Sequence, residues 1–329
     1  MGQIEKIRYG HRMKTNNTFR TLCETAEQHR ICVWARTDPQ RHMIQRRRAA
    51  QELIRVFSNL HARPTHWNTL PRHEQYRRII RSLAAQHPNW IFCGMTAAAL
   101  YGVNTSQRYM DTALIATSRS SHVRDYSNIR HLYLRDHTYV IVDGVRVTPL
   151  DRTIFDCVRH LSLPDGLAVL EATLREQLCT KTDLMESFTT LPGKKRTAAL
   201  RALTHATGRT ENGGEAFAYG VMVEAGYTPP DLQVEIPHPD NPMRVDRVDF
   251  AWRTNDGRLI VAELDGRVKY KDSAMYVNGN LPDTVIAEKE REERIQLTAD
   301  TLFRFSFVEA LQREPLIRKM NRYGVPRDG

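Results

Sequence analysis

The 329-residue sequence has no run of 18 or more apolar residues, so no transmembrane helix and no membrane contact are expected. Its first residues are polar and basic, without the apolar stretch of a secretory signal, which points to a cytoplasmic protein. Cysteine is scarce. Cys23, Cys32, Cys93, Cys157 and Cys179 are odd in number, far apart and form no C-x-x-C pair, which argues against a disulfide framework and against a cysteine zinc site. The 13 histidines are scattered and show no H-E-x-x-H spacing, so they read as surface or core residues. Internal repeats and low-complexity tracts are also lacking.

What remains is the composition of a globular protein, 41% hydrophobic and 26% charged, in a chain long enough for two or three domains. The net charge of +10 is unevenly placed. Residues 1–110 hold 18 Lys/Arg against 6 Asp/Glu, whereas the remainder holds 30 against 32. A basic module joined to a near-neutral one points to a polyanionic partner for the first part.

Residues 1–90 read as a DNA-binding region. A helix is expected over 18–29, with Phe19, Leu22, Cys23 and Ala26 on one face. Asp38 reads as an N-cap and Pro39 as the first residue of a second helix, in which Met43 and Ile44 point inward. Arg41, Gln45 and Arg48 share another face of that helix at i, i+4 and i+7, within the basic run Arg46, Arg47, Arg48. The stretch 53–57 and the turn-rich 59–64 then suggest a strand and a wing. Helix, link, basic helix and wing make a winged helix-turn-helix pattern, whose second helix presents Arg and Gln to phosphates and base edges.

Residues 91–205 read as an α+β domain. A small-residue helix over 96–101 ends at Gly102, strands follow near 112–117, 129–134 and 139–142, and Asp143-Gly144 is a hairpin turn before 145–147. Thr148 and Pro149 open a helix carrying Leu150, Ile154, Cys157, Val158 and Leu161 on one face, and another amphipathic helix covers 163–178. Asp151, Arg152 and Asp156 read as surface pairs rather than as a polar site. A Lys/Arg/Thr-rich linker is expected over 192–210.

Residues 206–329 carry the chemistry. The expected order is α-β-β-β-α-β-α: a helix over 212–225, strands over 232–236, 244–252 and 259–264, a charged helix over 284–298, a strand over 302–305 and a final helix over 307–320. Asp249 and Glu263 sit at the ends of adjacent strands, where a carboxylate is costly to bury without a cation or a partner. A hairpin brings both onto one face. The pair suits a hard cation, Mg²⁺ or Mn²⁺, with the Leu264 carbonyl as backbone ligand and Glu215 completing the site directly or through water. Such an ion activates a water and stabilises the leaving oxygen in phosphodiester cleavage. This order with D…E-x-(K) is the PD-(D/E)XK nuclease arrangement.

Residues 213–306 resemble an actinobacterial domain related to very-short-patch-repair endonucleases, through Gly213-Gly214-Glu215, Ala225-Gly226-Tyr227, Leu232-Gln233-Val234, Val248-Asp249-Phe250, the run from Glu263 to Tyr270, the run from Glu288 to Arg294, and Phe303-Arg304-Phe305. The middle region resembles the AbiEi-type antitoxin domain, through the stretches 96–102 and 147–156. The resemblance implies a restriction-endonuclease-like αβββαβ domain behind an antitoxin-like one, an α/β protein that is α+β overall. It departs from the pattern at Asp265, which stands where the motif has Lys. Lys269 or Lys289 would then supply the cation that positions water, and Asp265 would be a third metal ligand or fix the turn with Gly266. The residues expected for mismatch recognition are not identifiable.

Two functions follow as expectations. One is a Mg²⁺-dependent DNA endonuclease guided by the basic module and acting in DNA processing or phage defence. The other is an antitoxin-like transcriptional regulator with a non-catalytic nuclease fold, for which a cognate nucleotidyltransferase-like toxin and a homodimer would be natural partners.

Overall fold

The computed structural model describes residues 17–103, 106–118, 125–126, 128–238, 241–265 and 281–328. The protein is α+β and divides into two compact units, Met1–Thr153 and Ile154–Gly329. The division falls inside a helix rather than at either boundary of the three-region sequence reading. Among the described residues, no helix is long and apolar enough to cross a membrane.

The first unit opens with two helices, α1 (Asn17–Gln28) and α2 (Asp38–Ala49), followed by an antiparallel hairpin of β1 (Ile54–Phe57) and β2 (Leu60–Ala62). This is the helix, helix, hairpin order expected from sequence. The cap of α2 is Thr37 rather than Asp38, with its side chain accepting from the Gln40 amide at 3.4 Å. Phe19, Cys23 and Ala26 of α1 pack on Met43 and Ile44 of α2 and on Leu53.

Two helices follow, α3 (Pro64–Trp67) and α4 (Arg72–Gln86), then α5 (Gly94–Tyr101), which is stopped by Gly102 at φ +86°. β3 (Ala113–Thr117) pairs in parallel with β4 (Ile129–Tyr133), and β5 (Val140–Val142) pairs antiparallel with β6 (Val145–Val147). Asp143 and Gly144 both have positive φ, as the tight turn between β5 and β6 requires. Fully buried Phe92 bridges to Ile115 on one side and Val147 on the other. One core therefore runs from Trp34, Phe57 and Tyr76 through Phe92 to Ile115 and Val147, so described residues on both sides of position 90 share a hydrophobic interior.

Helix α6 (Leu150–His160) carries the unit boundary. Asp156 on it is 1% exposed and accepts from Arg159 at 2.7 Å, while Arg152 is also buried, so the expectation of surface pairs there is overturned. The helix is amphipathic in sequence yet buried from Arg152 to Arg159, so these polar groups lie inside.

In the second unit α7 (Leu163–Arg175) is followed by α8 (Lys181–Thr190), which opens on a Thr180–Asp183 capping box, and α9 (Arg196–His205). The expected linker over 192–210 is thus largely a helix, with Ala199, Ala202 and Leu203 buried. Its end is tied down by the fully buried Glu171 of α7, which accepts from the amides and hydroxyls of Thr207 and Thr210. α10 (Gly213–Glu224) lies against α7 so closely that a Cβ on Gly220 would stand 2.4 Å from Pro164 Cα.

A four-stranded sheet completes the unit. β7 (Asp231–His238), β8 (Asn241–Arg253) and β9 (Leu259–Asp265) form an antiparallel meander. After α11 (Leu281–Thr298), β10 (Thr301–Ser306) returns parallel to β9, giving the order β10-β9-β8-β7. The α-β-β-β-α-β-α order expected from sequence is present. The last helix is two: α12 (Phe307–Gln312) and α13 (Glu314–Arg322) meet at Arg313, whose φ is +65°. Pro315 at the start of α13 has no amide with which to continue the ladder.

Candidate functional site

Register alone assembles the site. Phe250 lies opposite Ala262, which sets Asp249 opposite Glu263, and Leu232 and Val234 face Phe250 and Val248, which sets Gln233 opposite Asp249. Arg304 pairs with Glu263 in the parallel ladder. One row across the sheet therefore reads Gln233, Asp249, Glu263, Arg304, one residue from each strand. Glu215 joins this row from α10, and Arg291 from α11.

The row has two halves of different electrostatic character. On the β7–β8 side, Gln233 Nε2 donates to Glu215 Oε2 at 3.0 Å and to Asp249 Oδ1 at 3.4 Å. Asp249 Oδ2 accepts from the Leu264 amide at 2.8 Å. Glu215 is 4% exposed, stands in the first turn of α10, and also accepts from the Glu211 amide at 2.7 Å and from the Asn212 side chain. All of these donors are neutral. Among the described residues no ion pair is made to either carboxylate. Burial, followed by the nearby Asp249 charge, pushes the Glu215 carboxyl up to about 7. Burial is also the main cause that raises Asp249, with the Glu263 charge adding to it.

On the β9–β10 side the charge is compensated. Glu263 is 7% exposed and is gripped by two guanidiniums. Arg291 donates to its Oε1 at 2.5 Å and to its Oε2 at 3.3 Å, and Arg304 Nη2 lies 3.1 Å from Oε2. Arg291 also donates to the Arg247 carbonyl at 2.6 Å, and Arg304 to Glu288 at 2.5 Å. Arg304 Nε is buried and has no hydrogen-bond partner among the described residues.

The structure thus brings Glu215, Asp249 and Glu263 to one place, but gives them different partners. Among the described residues no group of three or more His, Cys, Asp or Glu side chains forms a metal-holding cluster. Glu263, expected as a metal ligand, is engaged by arginines. The donor set that fits a hard divalent cation is buried Glu215 and half-buried Asp249, neither of which makes an ion pair among the described residues, although Arg175 and Arg291 act on them through space. An extended residue directs its N–H and C=O towards the same neighbouring strand, so the Leu264 carbonyl also lies on the Asp249 side. Asp265 is half-buried at the end of β9, two residues on from Glu263 and so on the same face. Lys269 lies outside the described residues. Lys289 is described and exposed on α11.

Gln233, Arg291 and Arg304 lie in the stretches that carry the resemblance, but the sequence reading gave them no role in the site. Arg304 carried a readable signal: a charged residue alternating between Phe303 and Phe305 in a strand must face away from their side of the sheet. Gln233 stood in the matched stretch Leu232-Gln233-Val234, but its bridging role depends on a backbone with φ of +55°, which is visible only in the fold.

In the first unit, Arg41, Gln45, Arg46 and Arg48 are exposed on α2, and Arg55 is exposed on β1. Arg47, expected beside them, is a correction. It is 4% exposed, stacks 4.5 Å from the Phe19 ring centroid and donates to Glu52 at 2.5 Å. It shares a face with Met43, four residues earlier, and so points into the helical core.

No protein-family model matches the chain. Two curated proteins similar to it are Uncharacterized protein MT2308 of Mycobacterium tuberculosis (strain CDC 1551 / Oshkosh) and Uncharacterized protein Rv2248 of Mycobacterium tuberculosis (strain ATCC 25618 / H37Rv). Each is 30% identical over 163 residues, 49% of this chain and 58% of the relative. The chain therefore spans less than two thirds of the length of the relatives it matches.

Proposed function

We propose that this is a cytoplasmic DNA-binding protein whose second unit hydrolyses phosphodiester bonds with a divalent cation, Mg²⁺ or Mn²⁺. One observation carries the reading: buried Glu215 and half-buried Asp249 stand side by side, joined by the neutral Gln233 amide and, among the described residues, without an ion pair. Two desolvated carboxylates in that state favour a cation over water. Glu215 and Asp249 would hold it, with the Leu264 carbonyl beside them. A bound divalent ion supplies an activated water and offsets charge on the leaving oxygen. Gln233 fixes the two carboxylates relative to one another through its single amide group. Arg291 and Arg304 stand where a cation is needed beside a scissile phosphate, the part assigned from sequence to Lys269 or Lys289. The exposed Arg41, Gln45, Arg46 and Arg48 face of the first unit is proposed to bind the duplex. The test is incubation of supercoiled plasmid with the protein and Mg²⁺ or Mn²⁺. Nicking above an Asp249→Ala control is expected, and equal nicking by both proteins would refute the hydrolase.

The grip of two arginines on Glu263 favours a second reading. A glutamate so fully paired is not a free metal ligand, as an antitoxin-like regulator with a non-catalytic fold would have it. That reading expects salt-dependent binding to the protein's own promoter and no cleavage with any divalent ion. Co-purification with a nucleotidyltransferase-like toxin, or as a homodimer, would support it.

A further inference from the structure

The two guanidiniums on Glu263 form more than a salt bridge. Arg291 lies on a helix and Arg304 on a strand, yet both reach one carboxylate, and each keeps about a quarter of its side chain open to solvent (24% and 29%). Arg304 Nε is buried and unpartnered among the described residues, although a guanidinium has donors enough for a two-oxygen acceptor on that edge. A planar carboxylate taken between two guanidiniums has the charge and the oxygen spacing of a phosphodiester. Its two oxygens stand where the two non-bridging oxygens of a phosphodiester would lie, and the two ester oxygens have no counterpart in it.

We propose that Arg291 and Arg304 are an anion-binding site for the phosphodiester of a nucleic-acid backbone, and that Glu263 holds this site in the absence of substrate. An entering phosphate takes the guanidiniums, including Arg304 Nε, and displaces the Glu263 carboxylate from them. No covalent step is involved, only an exchange of anions. The choice of ligand rests on the phosphodiester chemistry proposed above, but the site needs no metal. Its test is therefore a binding experiment in EDTA. A protein that binds but never nicks DNA would retire the hydrolase and leave this site standing.

The probe is a thymidine dinucleotide with a single phosphodiester, titrated into the full-length protein in EDTA at constant ionic strength. Binding is followed through the ¹⁵N–¹H signals of the arginine Nε–H groups, assigned by loss in Arg291→Lys and Arg304→Lys. The Arg304 signal should shift with the phosphodiester and stay fixed with the uncharged methylphosphonate analogue. Glu263→Gln should bind the dinucleotide roughly tenfold tighter, because the competing carboxylate is gone. Glu292→Gln, which removes a charge 3.8 Å from Arg304 outside the clasp, should change affinity less than about twofold. Equal gains in Glu263→Gln and Glu292→Gln would reduce the effect to general charge and overturn the proposal. So would an unmoved Arg304 signal in the wild-type protein, a reading that holds even if Glu263→Gln fails to fold. A response to inorganic phosphate without one to the dinucleotide would overturn the assignment to a nucleic-acid backbone.

Discussion

Gln233 reaches Glu215 from a backbone conformation that strands disfavour: its Nε2 donates to Glu215 Oε2 at 3.0 Å while its own φ is +55°. A non-glycine residue in that region costs about 1–2 kcal/mol. Outliers of this kind persist where the surroundings over-determine them, and here the side chain bridges two carboxylates. A contrast between two substitutions isolates the backbone cost. Within an ordinary strand glycine is worse than alanine, by roughly 0.5–1 kcal/mol. At position 233 the order should reverse, with Gln233→Gly more stable than Gln233→Ala by about 1 kcal/mol in urea unfolding. The ordinary order would show that the position is unstrained.

The raised Glu215 carboxyl makes stability depend on pH in a particular direction. Its folded value of about 7 lies above the ordinary 4.5, so between those values the folded state holds more protons than the unfolded state. Stability must then fall as the pH rises from about 4.5 through about 7, and level off above. Glu215→Gln should flatten this part of the profile and melt higher than the wild type at pH 8. Added Mg²⁺ or Mn²⁺ should raise the wild-type melting temperature more at pH 8 than at pH 5, since only the ionised pair attracts a cation. A cation effect that is the same at both pH values would separate Glu215 from any metal site.

Much of this was legible in the sequence, and the limits were physical. Alternation around Val248-Asp249-Phe250 and the unbroken apolar run before Glu263 were enough to order the strands and to put two carboxylates on one face. The charged helix before β10 was legible too. Its use was not, because the reach of Arg291 to Glu263 depends on where α11 lies against the sheet, which no spacing encodes. The segment over 192–210 looked like a linker because Lys, Arg and Thr dominate it. Three small or apolar residues, Ala199, Ala202 and Leu203, suffice to bury one side of α9. The shared core from Cys32 to Val147 has no signature in the sequence, because Phe92 joins its two ladders by single bridges rather than by a strand.

Neighbouring arginines of α2 should separate cleanly by assay. Arg46 and Arg48 are exposed, so replacing either by alanine should weaken DNA binding across sequences and lower the salt slope by about 1, with little change in melting. Arg47 is buried on Phe19 and tied to Glu52, so Arg47→Ala should destabilise the first unit by about 1–3 kcal/mol and leave the salt slope of the folded protein intact. Fluorescence anisotropy at several salt concentrations, beside urea unfolding, measures both. An unchanged slope in Arg46→Ala and Arg48→Ala would remove α2 from the DNA interface.

Gly220 tests what holds the carboxylate of α10 in place. Glu215 reaches the row from the first turn of α10, so its position depends on where that helix sits against α7. A methyl group at 220 would meet backbone rather than a movable side chain, 2.4 Å from Pro164 Cα and 3.2 Å from Pro164 N. Neither helix can yield locally, so Gly220→Ala should force α10 away from α7 and cost about 1–3 kcal/mol. The displacement should propagate to the Glu215–Gln233 contact, lowering the response of melting temperature to divalent cations along with stability. A second substitution on the same helix, Ala218→Gly, should loosen α10 without driving it off α7. If Gly220→Ala loses stability but keeps the full cation response, the α7 contact supports the fold alone, and the position of Glu215 is set by the Asn212 cap and Gln233.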